Sequence, residues 1–381
     1  MKAVPIPSLL FSLLGTTAWA TAAFAAPIPL SDAQLNQVVA GEDFTIVAEI
    51  ADLAAVGAPT TDPLLVNPWG LSSAPGGPLW VANQGTSTST VYNATSFAKL
   101  PLTVTIPSVG DEEVGPTGTV FTSFNRPNSF PVSANGKTGH SIFLFDTLDG
   151  TISGWAPSVD PANAISAVDL SSEEAAFTGL TLKNVGSAPM LFAADFGNGR
   201  VDIFNARFHM TGSFTDSSLP DGYSPFNVQT IGDKVYVAYA MKEDDEPEEI
   251  AGPGLGAIVV YDTRGNKLST LVKGGALNAP WGMTIAPASF GEFAGALLVG
   301  NFGDGKINAY NPTTGAFLGT VSSDATGPIT IDGLWALRPG PDGTVVFSAG
   351  VNDETHGLVG VIKPNWAAAS WAFQSHVTIQ R

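Results

Sequence analysis

Asparagine and aspartate side chains recur at matching points of a repeated motif, where their oxygens could hold a hard cation. Asn67 precedes a Pro-Trp-Gly triplet and Asn278 stands just before a later copy of it, while Asn227 and Asp332 lie in two weaker copies. Ca²⁺ takes six to eight oxygens from carboxylates, amides and backbone carbonyls. The sequence therefore predicts these four residues as Ca²⁺ ligands. The alternative is structural, because Asn and Asp also tolerate left-handed backbone and form Asx turns.

A break in the repeat near the C-terminus adds acidic residues and a histidine. It reads Asn352-Asp353-Glu354-Thr355-His356-Gly357. A histidine beside carboxylates can titrate near neutral pH, so we predict His356 or Asp353 as a general base. A solvated turn is the alternative. The sequence has four histidines, no cysteine, no Gly-x-Ser-x-Gly and no His-Glu-x-x-His. Thiol chemistry is thereby excluded, and a serine triad or a zinc enzyme is disfavoured.

Three tryptophans occupy equivalent positions in the strongest copies of the motif. Trp69, Trp281 and Trp335 are predicted to bind a ligand by stacking, with packing between neighbouring repeats as the alternative. A separate stretch, residues 243–249, places six acidic residues around Pro247. Because like charges repel, we expect this loop to be extended and solvated unless a cation compensates it.

Six repeat units position these residues. Each unit has an inner strand opened by a Gly or Pro turn, a second strand, and a third strand that generally ends in an aromatic or other large apolar residue. Their spacings are 48, 61, 47, 56 and 51, measured between these residues: Gly70, Gly118, Gly179, Phe226, Gly282 and Gly333. Such spacings are near those of four-stranded propeller blades. The sequence predicts an all-β, six-bladed β-propeller, with seven blades as the alternative. The unpaired strand at Phe44–Ile50 is predicted to close the last blade.

Composition sets the domain organisation and the compartment. Lys2 is the only charge before Asp32, and an apolar stretch precedes Ala23-Phe24-Ala25, as in a signal peptide. We predict a signal peptide (1–25), a short helix or linker (26–42), the propeller (43–363) and a C-terminal tail (364–381). The protein is expected to be secreted or periplasmic, monomeric and without a membrane anchor. The net charge of −18 argues against nucleic acid as a partner.

The units resemble NHL-type propeller repeats, and the chain as a whole resembles a family of exported bacterial propellers of uncharacterised function. The resemblance spans roughly residues 43–362 and is carried by these stretches: Asn67–Leu71, Leu79–Asn83, Ala193–Arg200, Gly222–Gln229, Leu277–Gly282, Leu298–Gly305, Ile331–Leu337 and Ala349–Gly357. It implies a propeller and export, and it implies no particular activity. The predicted ring of Asn and Asp also resembles the metal site of six-bladed calcium-dependent lactonases.

Two functions follow as expectations. The first is a module that binds a small ligand or a protein partner at the mouth of the channel. The second is a Ca²⁺-dependent, lactonase-like hydrolase, with the metal polarising a carbonyl and His356 or Asp353 as base. A propeller can host either class, so the fold alone does not choose between them.

Overall fold

The computed structural model describes residues 44–109, 114–123, 128–185, 188–243, 247–323 and 326–365. The predicted signal peptide and linker helix lie outside these ranges, as does the predicted tail beyond Asn365. Within the described ranges no helix is long and apolar enough to cross a bilayer.

The strands of the described residues form six antiparallel blades, each with its first strand innermost. The chain first forms β1 (Phe44–Ala51) and β2 (Thr60–Thr61). Blade 1 contains β3 (Pro68–Ser72), β4 (Leu79–Asn83), β5 (Thr88–Tyr92) and β6 (Lys99–Thr105). Blade 2 contains β7 (Pro116–Phe121), a separate hairpin of β8 (Pro131–Ala134) and β9 (Lys137–His140), then β10 (Phe143–Thr147), β11 (Thr151–Trp155) and β12 (Ile165–Asp169). Blade 3 contains β13 (Phe177–Val185), β14 (Ala188–Asp195), β15 (Arg200–Asn205) and β16 (Met210–Phe214).

The second half of the chain repeats this arrangement. Blade 4 contains β17 (Tyr223–Ile231), β18 (Lys234–Lys242), the short β19 (Glu249–Ile250), β20 (Ala257–Tyr261) and β21 (Lys267–Lys273). Blade 5 contains β22 (Pro280–Ile285), β23 (Leu297–Asn301), β24 (Ile307–Tyr310) and β25 (Phe317–Thr320), followed by β26 (Ser322–Ser323) and β27 (Gly327–Pro328). Blade 6 contains β28 (Leu334–Pro339), β29 (Val345–Ala349) and β30 (Leu358–Pro364). The short 3₁₀ helices of the described residues are Ala54–Val56, Gln84–Thr86, Ser171–Glu173, Gly291–Phe293 and Pro341–Gly343.

The ring is closed by the N-terminal strand, as predicted. β1 pairs antiparallel with β30, from Phe44 opposite Pro364 to Ala51 opposite Leu358, and so becomes the fourth strand of blade 6. Contacts between successive inner strands run around the ring and return from β28 to β3. The six-bladed prediction is confirmed.

Burial follows position in the blade. Every residue of β4, β23 and β29 is buried, because a neighbouring blade covers each face of these strands. The outermost strand β21 is mostly exposed. The apolar clusters lie between adjacent blades, so the core of this protein is a ring of interfaces rather than one central cluster.

Candidate functional site

A bulge at the same place in three inner strands positions the predicted tryptophans. The register shifts between Pro68 and Leu71 in β3, and again at the equivalent points of β22 and β28. An extra residue in one strand re-aims the neighbouring side chains. The glycine after each of two tryptophans allows close approach of the next blade. A Cβ on Gly70 would lie 2.9 Å from the Gly118 Cα, and one on Gly282 would lie 2.4 Å from the Trp335 carbonyl oxygen.

The three tryptophans pack with phenylalanines of neighbouring blades into one cluster, the aromatic plug. It contains Trp69, Phe196, Phe226, Trp281, Phe302 and Trp335. Trp335 lies at its centre, stacked on Trp69 with ring centroids 3.5 Å apart and on Phe302 at 4.1 Å. The phenylalanines after the second strands of blades 3 and 5 lie at the end of the ring where the inner strands begin. We call this end the plug mouth.

The plug also uses the indole nitrogens. Trp335 Nε1 donates to the Asn67 side-chain oxygen at 3.0 Å, and Trp281 Nε1 donates to the Thr178 carbonyl at 2.9 Å. Trp69 Nε1 is buried and has no hydrogen-bond partner among the described residues. The three indoles are at most 5% exposed. Stacking of a ligand on them stays a prediction, and it would require the plug to open.

Beneath the plug the central channel is narrow. The cavity between the inner strands has a volume of about 40 Å³, and its lining includes Gly70, Gly118, Leu180, Asn227 and Trp281. Sites for small molecules usually have about 300–1,000 Å³. In this arrangement the channel has room for a few waters at most, so a ligand at this end of the ring would have to bind on the surface of the plug mouth.

The four predicted metal ligands each accept or donate hydrogen bonds near the plug mouth. Asn67 Oδ1 is held by Trp335, while its Nδ2 donates to Gln84 at 3.0 Å and to Glu354 at 2.5 Å. Asn278 Oδ1 accepts from the Gly252 backbone at 2.6 Å. These bonds join blade 1 to blade 6 and blade 5 to blade 4.

The other two predicted ligands are engaged in the same manner. Asn227 donates to the Trp281 carbonyl at 2.8 Å, and its oxygen accepts from the Val228 backbone at 2.8 Å. Asp332 is exposed and accepts from the Asn352 backbone at 2.7 Å. The four side-chain oxygens thus face four different donors rather than one shared point. Among the residues described, no three His, Cys, Asp or Glu side chains could hold a metal ion together. A Ca²⁺ ion at the four predicted residues stays a prediction, and it would have to displace these bonds.

Carboxylates from two blades meet above the plug and form an acidic rim: Glu248, Glu249, Asp332, Asp353 and Glu354. Burial, together with the neighbouring charges of Glu354, Glu248 and Glu243, raises the pKa of Glu249 to about 7. Burial, with Glu248, Asp332 and Asp353 nearby, raises the pKa of Glu354. Across the described part of the chain, no lysine, arginine or histidine forms an ion pair with a rim residue. The rim is therefore a group of crowded, uncompensated acids.

The backbone of the rim is unusual in blade 6. Asn352, Asp353 and Glu354 all have positive φ, at 59°, 51° and 61°. Successive left-handed residues other than glycine cost energy and persist only where surrounding contacts fix them. Here the hydrogen bond from Asn67 to Glu354 and that from the Asn352 backbone to Asp332 supply such contacts.

His356 is held by a carboxylate that the sequence analysis did not identify. Its Nδ1 lies 2.6 Å from Asp52 Oδ2, and the Gly357 backbone donates to Asp52 Oδ1 at 3.1 Å. The His356 side chain is 34% exposed. Asp353 is exposed and lies close to Glu354, while the carboxylate paired with His356 is Asp52. An imidazole oriented by a carboxylate through Nδ1 can accept a proton at Nε2, so the pair has the geometry of a general base with its orienting acid.

Comparison with known proteins places the chain in a family. No family model matches the sequence. The uncharacterized protein R648 of Acanthamoeba polyphaga mimivirus is 32% identical over 313 residues, which cover 79% of this chain and 76% of R648. The chain belongs to the R648 family. A second relative from the same virus, the uncharacterized protein L690, is 31% identical over 310 residues, covering 78% of this chain and 80% of L690.

Among solved structures, a streptogramin B lyase is similar with a TM-score of 0.49 and 12% identity, covering 84% of this chain and 98% of the lyase. This similarity concerns the propeller fold alone. The relatives found are viral proteins of the R648 family, so membership of an exported bacterial family, and export itself, stay predictions.

Proposed function

We propose that this protein is a binding module that recognises a basic segment of a protein partner at the acidic rim. The observation that carries the proposal is that carboxylates of blades 4 and 6, among them Glu249 and Glu354, meet in the acidic rim, where burial and like charges raise the pKa of both. A raised pKa means that ionisation is unfavourable in the free protein, since burial and like charges both oppose it. A lysine or arginine placed between these carboxylates would remove that penalty.

A protein partner is favoured over a small molecule by the shape of the site. The plug closes the channel, and the cavity beneath it has a volume of only about 40 Å³. The rim spans two blades that are separated by blade 5, so its acids can contact several basic side chains at once. Binding through such a surface would depend on ionic strength, because the charges are partly exposed and are screened by salt.

A decalysine peptide is a direct probe, with affinity measured by isothermal titration calorimetry at low salt. The double variant Glu249→Gln, Glu354→Gln is expected to weaken binding about three- to tenfold, since partly exposed ion pairs are each worth about 0.2–1 kcal/mol. Asp160→Asn with Asp169→Asn removes the same charge from blade 2 and is the matched control. Equal weakening by both pairs would show that only the net charge of −18 attracts the peptide and would refute the proposal.

Binding should also depend on pH in a defined direction. The ionised carboxylate is the form that binds a cation, and the pKa of Glu249 is about 7. Affinity for the peptide is therefore expected to rise between pH 6 and pH 8. The accompanying proton release should appear as a measured binding enthalpy that differs between buffers of different ionisation enthalpy. The Glu249→Gln variant should lose most of this dependence. An unchanged pH profile in that variant would contradict the role given to Glu249.

A Ca²⁺-dependent hydrolase is the second candidate, and the pairing of His356 with Asp52 is the observation that favours it. Purified protein would be screened against lactones and esters with and without Ca²⁺, alongside His356→Asn and Asp52→Asn. If the pair is a general base, both substitutions should abolish any activity found. Activity that persists in His356→Asn would exclude this histidine as the base.

A further inference from the structure

Arg338 lies apart from the plug mouth, at the opposite end of β28. Its Nη1 donates to Ser73 Oγ at 2.6 Å, which links blade 6 to blade 1. In the described part of the chain, no carboxylate lies within ion-pairing distance of this guanidinium, whereas Arg200, Lys99 and Lys267 are all paired with aspartates. Burial alone lowers the pKa of Arg338.

A partly buried guanidinium without a carboxylate partner costs the folded protein free energy. Taking a charge out of water is unfavourable unless an opposite charge and hydrogen bonds compensate it. Arginine presents five N–H donors, and the Ser73 hydroxyl uses one of them. Among the described residues, the fully buried side-chain atoms without a hydrogen-bond partner include no nitrogen of Arg338. The donors of Arg338 that Ser73 does not use therefore remain accessible to solvent.

A cavity of about 400 Å³ lies beside this side chain, between blades 1 and 6. Leu79, Phe97 and Val346 form a buried apolar part of its wall, and each is at most 3% exposed. The exposed Pro75 and Gly76 on one side, and Pro339 on the other, leave it open to solvent. Its volume falls within the range usual for small-molecule sites.

We infer that this cavity binds a small carboxylate with an apolar body. The carboxylate would accept hydrogen bonds from the free donors of Arg338, and the apolar body would lie against Leu79, Phe97 and Val346. Arginine is suited to this because its planar fork matches a carboxylate through two parallel hydrogen bonds. The site differs from the acidic rim in its location, in the sign of its charge and in its ligand.

Phenylacetate is the probe, and protection of Arg338 from phenylglyoxal in the full-length wild-type protein is the first measurement. Phenylglyoxal modifies accessible guanidinium groups, and mass spectrometry reports the modification of each arginine. Phenylacetate at millimolar concentration is expected to slow modification of Arg338 and to leave the exposed Arg207 unchanged. Equal rates at Arg338 with and without phenylacetate would overturn the proposal. This experiment needs no variant, so it does not depend on the folding of a mutant.

Two comparisons test the chemistry of the ligand. Phenethyl alcohol has the apolar body without the charge, and acetate has the charge without the body, so each is expected to protect at least about tenfold less well than phenylacetate. Equal protection by either would overturn the proposed ligand class. Arg338→Lys is expected to bind phenylacetate about tenfold more weakly by calorimetry, because lysine cannot form the bidentate pair, while Arg207→Gln should bind as the wild type does. Unchanged affinity in Arg338→Lys would assign the site to another residue.

Discussion

Asp146 is fully buried and incompletely hydrogen-bonded, so its replacement by asparagine should stabilise the protein. Its Oδ1 accepts from the Gly118 backbone at 2.7 Å and from the Thr117 hydroxyl at 3.2 Å, while Oδ2 has no partner in the part of the chain that the structure describes. Burial raises the pKa of Asp146 from 3.8 to about 7, against the lowering effect of these hydrogen bonds. Asparagine keeps the accepting oxygen and cannot ionise.

The magnitude and the pH range follow from this pKa. One pKa unit corresponds to about 1.4 kcal/mol, so ionising Asp146 costs the folded state about 4 kcal/mol at pH 8 relative to the unfolded chain. Below pH 3.8 the carboxyl is protonated in both states and costs nothing. Between these limits the unfolded chain loses its proton first, and stability is lost as pH rises from about 4 to about 7. Asp146→Asn removes this loss.

Thermal unfolding followed by circular dichroism at pH 5 and pH 8 tests the prediction. The variant is expected to melt about 8 °C above the wild type at pH 8, taking roughly 2 °C per kcal/mol for a chain of this size, and much closer to it at pH 5. Asp62→Asn is the matched control. Asp62 is also fully buried but is paired with Lys99 at 2.7 Å and with the Tyr92 hydroxyl at 2.6 Å, so its replacement should destabilise at both pH values. A variant Asp146→Asn that melts below the wild type at pH 8 would refute the reasoning.

Two further predictions concern the ring and the rim. Ile50 of β1 is completely buried, so Ile50→Ala should lower the free energy of unfolding by about 2–5 kcal/mol, as measured by thermal melting. Leu268→Ala, on the exposed strand β21, should change it by less than about 0.5 kcal/mol. Equal effects of the two substitutions would contradict closure of the ring by β1. Asn67→Asp places a carboxyl 2.5 Å from Glu354, so the variant should be less stable than Asn67→Ala at pH 8. The difference in melting temperature should shrink as the pH falls and the pair of carboxyls takes up a proton. A difference that does not depend on pH would exclude charge repulsion as the cause.

The ring could be predicted from the sequence because every blade repeats the same local pattern. The inner strand, the turn and the buried second strand each have a recognisable sequence pattern, and all three fall within about fifty residues. Because the pattern occurs six times, each copy strengthens the assignment of the others. The closing strand followed from a β-rich segment with no partner of its own. The hairpin β8–β9 could not be predicted, although it accounts for the longest spacing between repeats, because no other blade of the described residues has a hairpin between its first and second strands.

The partners within the site were harder to predict because they join residues far apart in the chain. Asp52 and His356 are separated by 304 positions and meet only because β1 pairs with β30. A signal for this contact was present nevertheless. Asp52 directly follows the predicted closing strand, and antiparallel pairing brings the end of that strand beside the start of β30, which follows His356 and Gly357. No comparable sequence signal indicated that Glu249 lies near Glu354, because repeat spacing does not determine the path of a long loop.

The recurring asparagines fit two interpretations, one as ligands of a cation and the other as structural hydrogen-bonding residues. Asn67 and Asn278 lie just before the beginnings of inner strands and Asn227 lies within one, as a ring of cation ligands at the channel would require. In the structure their side chains join one blade to the next or fix the plug, with Asn67 bonded both to the central indole of Trp335 and to Glu354 of the rim, while their role as cation ligands stays a prediction. Through Asn67, Glu354, the carboxylate that a basic partner would contact, is linked by two successive hydrogen bonds to Trp335 at the centre of the plug. A partner that draws Glu354 towards its own cation would therefore weaken the hold on Trp335, and the tryptophan fluorescence of the plug should report binding at the rim.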